Sequence, residues 1–205
     1  MTARTANAFG AALVAALTAF LAVGCGTDSS GSLRAIGAGL SGPAGLQATA
    51  YTTGLKHASA FAFDRRGRLW VATSGATSHS SDALYVVPSA GSRPVRVVSG
   101  LRGPLGLLWY RNTLYVSEIG RVEAFNGLRG ARFAVRRTIV RGPVAGASND
   151  GLAVSPGGRI LMAVSTTCDH CRPASKWAAA IVSFRPNGSD LRLYATGIRA
   201  GFGLA

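Results

Sequence analysis

The stretch AFAFDRRGRLWVAT, residues 60–73, contains two short apolar runs separated by a five-residue polar turn. The apolar runs are rich in residue types favoured in β-strands, and Gly67 stands where a tight hairpin turn requires positive φ. Two later stretches follow the same pattern: GLLWYRNTLYVS at residues 106–117 and GLAVSPGGRILMAV at residues 151–164. Each of the three stretches therefore predicts a β-hairpin.

A second hairpin is predicted after each of these. Its strands cover residues 83–87 with 95–98, 121–125 with 133–140, and 180–184 with 191–194. Four strands per repeat, at a spacing of roughly 40 to 55 residues, are typical of propeller blades, whereas the strands of a β-sandwich would not recur as matched units. The sequence predicts an all-β fold, a β-propeller of about three four-stranded blades.

Residues 195–205, ATGIRAGFGLA, resemble the start of another repeat, because SGLR at residues 99–102 opens the second one in a similar way. We therefore expect the start of a fourth blade and an incomplete ring, since propellers use about four to eight blades. Open blade faces would be apolar, which predicts either a truncated product or self-association through those faces.

Composition agrees with an all-β chain. The sequence has 27 glycines, 48% hydrophobic residues and only 15% charged residues. The formal net charge is +14, but the arginines are scattered singly or in pairs such as Arg65-Arg66 and Arg136-Arg137. Since no compact basic segment is present, we expect no nucleic-acid partner.

The first residues have the three regions of an export signal. Arg4 is followed by an uncharged apolar run over residues 11–23, and small residues precede Cys25. The segment AVGC at residues 22–25 resembles the lipobox of bacterial lipoproteins. An ordinary secretory signal that leaves Cys25 as a free thiol is the alternative.

These features predict three parts of the chain. Residues 1–24 are a lipoprotein signal peptide, residues 25–50 are the lipidated Cys25 and a flexible tether, and residues 51–205 are a partial β-propeller. We expect an exported protein that is anchored by lipid to the outer face of the cell membrane.

The segment from residue 149 to residue 205 carries a family resemblance. It contains GLAVSPGGR at 151–159, STTCDHC at 165–171, AIVSFRPNGSDL at 180–191 and ATGIRAGFGLA at 195–205. This combination resembles the soluble glucose/sorbosone dehydrogenases, a family of quinoprotein β-propellers. The resemblance implies pyrroloquinoline quinone beside Ca²⁺ in a central pocket, and oxidation of a sugar hydroxyl or aldehyde by hydride transfer to the quinone.

The resemblance also indicates where site residues should stand. Family members place a histidine just before the strand at residues 152–154, but residues 146–150 here contain none. Asp150 is the nearest ionisable substitute for a catalytic base, and turn capping is its alternative role. Arg199 matches the arginine that helps bind the quinone, and a solvated arginine is the alternative. No metal ligand is assigned in this chain.

Two functions stay open at this point. The first is a sugar dehydrogenase-like lipoprotein that takes a sugar or similar small molecule and is inactive or incomplete as this chain. The second is a non-catalytic, NHL-like propeller that binds a ligand or protein at the cell surface.

Cys168 and Cys171 are predicted to form a disulfide, because an exported chain meets oxidising conditions. Haem attachment would require histidine where Arg172 stands, and a zinc site would require more ligands than His170. A redox-active pair would usually begin a helix, whereas this pair follows a predicted strand.

Overall fold

The computed structural model describes residues 32–75, 77–144, 147–168, 170–173 and 175–204. The predicted signal peptide and the lipidation site Cys25 lie outside these residues. The chain divides into two compact units, Met1–Ala48 and Thr49–Ala205. In the described part of the chain, no helix is long and apolar enough to cross a membrane.

A small hairpin forms the described part of the first unit. Strand β1 (Arg34–Gly37) pairs antiparallel with β2 (Leu40–Gly42), with a bulge between Ala35 and Gly37. The backbone N–H of Ala48 donates a hydrogen bond of 2.7 Å to the carbonyl of Ile36. Part of the segment 25–50, which was predicted as a flexible tether, therefore has regular structure.

The second unit consists of three four-stranded antiparallel sheets. The first sheet contains β3 (Ala58–Phe63), β4 (Leu69–Thr73), β5 (Ala83–Val87) and β6 (Val95–Ser99). The second contains β7 (Gly106–Tyr110), β8 (Thr113–Glu118), β9 (Arg121–Arg129) and β10 (Arg132–Arg141). The third contains β11 (Asn149–Val154), β12 (Ile160–Val164), β13 (Ala180–Phe184) and β14 (Arg192–Thr196).

Strands neighbour one another in sequence order within each sheet. Each sheet is therefore a simple meander, as the repeat pattern predicts. The predicted strands agree closely with these bounds. The main difference is that β9 and β10 are longer than the predicted strands at residues 121–125 and 133–140. The start of a fourth blade was predicted over residues 195–205. Of these, residues 195–196 end β14, and residues 197–204 form no strand.

The turns repeat as faithfully as the strands. In the β3–β4 turn the N–H of Gly67 donates to the carbonyl of Asp64, and in the β11–β12 turn the N–H of Gly158 donates to the carbonyl of Ser155. Gly67 has φ of +74° and Gly158 has φ of +75°, values that side chains with a Cβ rarely tolerate. The predicted role of glycine in these turns is confirmed.

The first strands of the three sheets lie side by side, because β7 contacts both β3 and β11. Their antiparallel pairing puts the start of each first strand at the same end as the loops that join successive sheets. We call this the loop end, and we call the opposite end, which carries the tight hairpin turns, the turn end.

Two apolar cores hold the sheets together. Trp70 of the first sheet packs against Trp109 and Phe133 of the second, with ring centroids 5.3 and 5.4 Å apart. The core between the second and third sheets includes the fully buried Ile160 and Phe184. Alternate residues of a strand face opposite sides, so each sheet contributes one face to each neighbour.

The outer face of the first sheet carries a smaller apolar cluster. Leu69, Val71 and Val87 are buried there beneath Tyr51 and Leu55. On the first strand, by contrast, Phe61 is 71% exposed and Phe63 is 51% exposed. Self-association through such a face stays a prediction.

Removal of a buried aromatic ring from the core between the first and second sheets should destabilise the protein strongly. Phe125→Ala deletes a ring that is 1% exposed, so we expect a loss of about 3–5 kcal/mol in the free energy of unfolding. The matched substitution Phe61→Ala removes an exposed ring and should change stability by less than about 0.5 kcal/mol. Urea unfolding of both variants measures the difference, and equal losses would contradict the assigned core.

Candidate functional site

Four residues with carboxyl or amide side chains are almost completely buried near the loop end. Asp82 precedes β5, Glu118 ends β8, and Asn149 and Asp150 begin β11. Each of these residues is at most 1% exposed. Because buried polar groups normally carry hydrogen bonds, the partners of each side chain distinguish a structural role from a functional one.

Asp82 has a structural role. Its carboxylate accepts hydrogen bonds from the backbone N–H groups of Gly75 at 2.8 Å and Gly103 at 2.7 Å. His79 Nδ1 lies 2.7 Å from the same carboxylate. Since Gly103 belongs to the loop before β7, Asp82 fastens the first sheet to the second.

Glu118 fastens the same loop from the other side. Its Oε2 accepts hydrogen bonds from the N–H of Arg102 at 2.6 Å and from the guanidinium of Arg121 at 3.0 Å. Its Oε1 has no partner among the described residues. Burial, and secondarily the neighbouring Glu123, raises the pKa of Glu118 to about 7.

Asn149 connects the third sheet to the second. Its side-chain amide donates a hydrogen bond of 2.8 Å to the backbone carbonyl of Glu118. The third sheet is thereby tied to the end of β8 by a side chain that stands directly before Asp150.

Asp150 is different, because neither oxygen of its buried carboxylate has a hydrogen-bond partner among the described residues. Burial raises the pKa of Asp150, and the nearby Ser148 hydroxyl and Gly201 N–H offset that effect only partly. Its backbone carbonyl accepts a hydrogen bond from the Ser117 hydroxyl. The catalytic and turn-capping roles suggested by the sequence both stay predictions.

One cavity of about 370 Å³ lies at the turn end, and another of about 310 Å³ lies between the first strands of the sheets. The second, which we call the channel cavity, is lined by Ser59 of β3, Gly106 of β7, Gly151 of β11 and Phe202, among others. Gly151 is the immediate neighbour of Asp150. The volume of the channel cavity is near the lower limit for small-molecule sites.

Cys168 and Cys171 are joined by a disulfide in the structure, with their Cα atoms 5.9 Å apart. The guanidinium of Arg199 donates hydrogen bonds to the backbone carbonyls of Cys168 at 3.0 Å and Cys171 at 3.4 Å. Arg199 is exposed and does not line the channel cavity. In this structure Arg199 therefore contacts the disulfide loop, and its role in quinone binding stays a prediction.

Comparison with known proteins identifies the fold. No family model and no curated protein sequence matches the chain. Among solved structures, the PQQ-bound aldose sugar dehydrogenase of Streptomyces coelicolor matches with a TM-score of 0.52 and 16% identity, over 68% of this chain and 48% of that protein. The fold is a β-propeller.

Two other propellers match equally well. A gluconolactonase of Xanthomonas campestris has a TM-score of 0.51 and 20% identity, over 68% of this chain and 47% of that protein. The calcium-binding protein regucalcin of Agrobacterium tumefaciens has a TM-score of 0.53 and 15% identity, over 68% and 45%. The chain spans about half the length of these propellers. The predicted propeller is confirmed, as is its likeness in fold to sugar dehydrogenases.

The described residues do not fit pyrroloquinoline quinone, whose carboxylates require cationic partners. No cationic side chain lines the channel cavity within the described part of the propeller, and the nearest buried carboxyl group is Asp150. Calcium would need several oxygen ligands. Among the described residues no group of three or more His, Cys, Asp or Glu side chains could hold a metal ion.

Sequence reasoning found Asp150 but missed Glu118, Asp82 and His79. The available signal was the small number of acidic residues. The chain has only 8, so an acid at the end of a predicted strand is a candidate for a specific role. The spacing of His79 and Asp82 also permits a local contact. Their partners in the loop before β7, however, become evident only once two sheets are packed together.

The raised pKa of Glu118 predicts a specific dependence of stability on pH. The folded protein holds this proton more tightly than the unfolded chain does, so its contribution is complete below pH 4.5 and is lost as pH rises through about 7. Glu118→Gln mimics the protonated form. We expect it to leave stability at pH 4 nearly unchanged and to raise it by about 1–3 kcal/mol at pH 8, measured by urea unfolding.

Asp190→Asn supplies a control of opposite sign. Arg192, and with it Arg159, lowers the pKa of Asp190, so its contribution is present above pH 3.8 and is lost as pH falls below that value. This variant should lose stability at neutral pH. Parallel pH profiles for the wild type and Glu118→Gln would show that Glu118 does not titrate as described.

Proposed function

We propose that these propeller blades bind a sugar or a related polyhydroxylated small molecule at the loop end, beside the channel cavity, and do not oxidise it by themselves. The observation that carries the proposal is Asp150, a buried carboxylate whose oxygens have no hydrogen-bond partner among the described residues. A buried charge without a partner costs several kcal/mol, so a ligand that supplies donors is stabilised in return.

Hydroxyl groups suit this carboxylate. An ionised carboxylate accepts hydrogen bonds only, and neighbouring hydroxyls of a sugar can donate to both of its oxygens. A solved structure of the same fold is an aldose sugar dehydrogenase, and another is a gluconolactonase. These relationships support a sugar-type ligand for this chain.

Access to Asp150 sets a condition on binding. Asp150 is 0% exposed, and the N–H of Gly151 donates a hydrogen bond of 3.0 Å to the carbonyl of Gly201. The segment after Arg199 therefore lies against the start of β11. A ligand in the channel cavity would reach the carboxylate only as this segment shifts.

Oxidation of a sugar hydroxyl needs a base for the proton and an acceptor for the hydride. Residues 146–150 contain no histidine, and Arg199 is engaged with the disulfide loop. The chain thus offers a hydrogen-bonding group for the ligand without the cationic groups that an anionic quinone would need. We therefore infer binding without turnover.

Titration of the purified chain with glucose and gluconolactone, followed by ligand-observed NMR, tests the proposal. We expect saturable binding, and Asp150→Asn should weaken it about tenfold because an amide replaces one of the acceptor oxygens with a donor. The matched control Asp190→Asn changes a carboxylate at the turn end and should leave affinity within about twofold.

A second arm addresses catalysis. With pyrroloquinoline quinone and Ca²⁺ added, we expect no sugar-dependent dye reduction across a panel of aldoses. Turnover by this chain would overturn the claim that the blades do not oxidise sugar. Absence of saturable sugar binding, or equal effects of the two aspartate variants, would overturn the binding site.

We also propose that the protein is exported and anchored to the outer face of the membrane through lipid on Cys25. Support comes from the apolar run at residues 11–23 and the small residues that precede Cys25. Expression in a bacterial host with labelled palmitate should label the wild type and not Cys25→Ala, while Cys168→Ala should retain the label. Labelling of Cys25→Ala would contradict the assignment.

A further inference from the structure

A basic cavity of about 370 Å³ opens at the turn end between the first and second sheets. It is formed by the β3–β4 turn, the β7–β8 turn and the β9–β10 turn. Its lining residues are Asp64, Arg65, Arg66, Arg68, Trp109, Arg111, Asn112, Gly127, Leu128 and Gly130. The channel cavity shares none of these residues.

Three of the lining guanidinium groups are free to bind a ligand. Arg65, Arg66 and Arg111 form no side-chain hydrogen bond or ion pair within the described residues, and all three are exposed. Arg111 stays near the cavity by stacking its guanidinium over Tyr110, 5.1 Å from the ring centroid. Guanidinium groups bind carboxylate and phosphate oxygens in paired, charge-assisted hydrogen bonds.

The single acid in the lining does not neutralise these arginines, because its oxygens are already occupied. Asp64 accepts hydrogen bonds from the backbone N–H groups of Arg66 and Arg68, from Arg68 Nε at 2.7 Å and from Trp70 Nε1 at 3.0 Å. Burial opposes its ionisation, but these hydrogen bonds outweigh burial and hold the pKa of Asp64 below its usual value. The four arginines and one carboxylate leave an excess of positive charge.

Trp109 forms an apolar wall of the cavity. Its ring lines the cavity and packs edge-on against Trp70. Its indole Nε1 is buried and has no acceptor among the described residues, so the ring and not the N–H faces a ligand.

We propose that this cavity is a binding site for a small soluble anion that bears carboxylate or phosphate groups. Arg65, Arg66 and Arg111 bind its oxygens, beside the ring of Trp109. The site lies at the opposite end of the blades from Asp150, and it does not depend on the proposed sugar function.

Isothermal titration of the purified chain with inorganic phosphate and with citrate tests the site. We expect saturable binding of one or both probes, and their comparison separates phosphate from carboxylate chemistry. Arg65→Gln/Arg111→Gln should weaken binding about tenfold or more. Far-ultraviolet circular dichroism verifies that each variant is folded.

Arg96→Gln/Arg172→Gln is the matched control, since it removes two exposed arginines that lie outside the cavity lining and form no ion pair in the described structure. It should change affinity by less than about twofold. Equal weakening by the two double variants, or an equal heat effect from KCl at matched ionic strength, would show that the anion binds through the net charge of the protein and not at this cavity. Either result, or no binding of both probes at about 20 mM, would overturn the proposal.

Discussion

The close approach of the first strands of the three sheets, beside the channel cavity, is the constraint on which the other features depend. A Cβ at Gly106 would collide with the backbone carbonyl of Asp150 and with the hydroxyl of Ser117. A Cβ at Gly151 would lie 3.0 Å from the carbonyls of Gly201 and Phe202. Two glycines therefore let successive segments approach with backbone against backbone, which places Asp150 between the second sheet and the segment that follows Arg199.

This approach explains why acids at one end of the blades have different roles. Asp82 and Glu118 lie on either side of the loop before β7 and take their hydrogen bonds from Gly103 and Arg102 of that loop. Their charge serves to join sheets whose backbones would otherwise leave buried N–H groups unpaired. Asp150 has its backbone engaged and both carboxylate oxygens unpaired among the described residues, whereas Glu118 leaves only Oε1 unpaired and Asp82 leaves none.

The sequence was informative wherever structure is local. Strand bounds and the Gly67 and Gly158 turns followed from alternation, residue type and turn chemistry, which act over a few residues. The site was less accessible, because Asp82 and Glu118 acquire their partners from another sheet or its connecting loop. Arg199 illustrates the same limit, since its hydrogen bonds to the carbonyls of Cys168 and Cys171 join residues about 30 positions apart in the sequence.

The positions of the arginines show most clearly that residues far apart in the sequence can lie close together in the fold. The arginines are scattered along the chain, and no short segment is basic enough to indicate a binding site. The meander nevertheless returns the first hairpin turn of each sheet to the same end, so the β3–β4 and β7–β8 turns bring Arg65, Arg66 and Arg111 around one cavity. A repeat protein can thus assemble an anion site from single residues in successive repeats, each of which resembles an ordinary solvated arginine when it is considered alone.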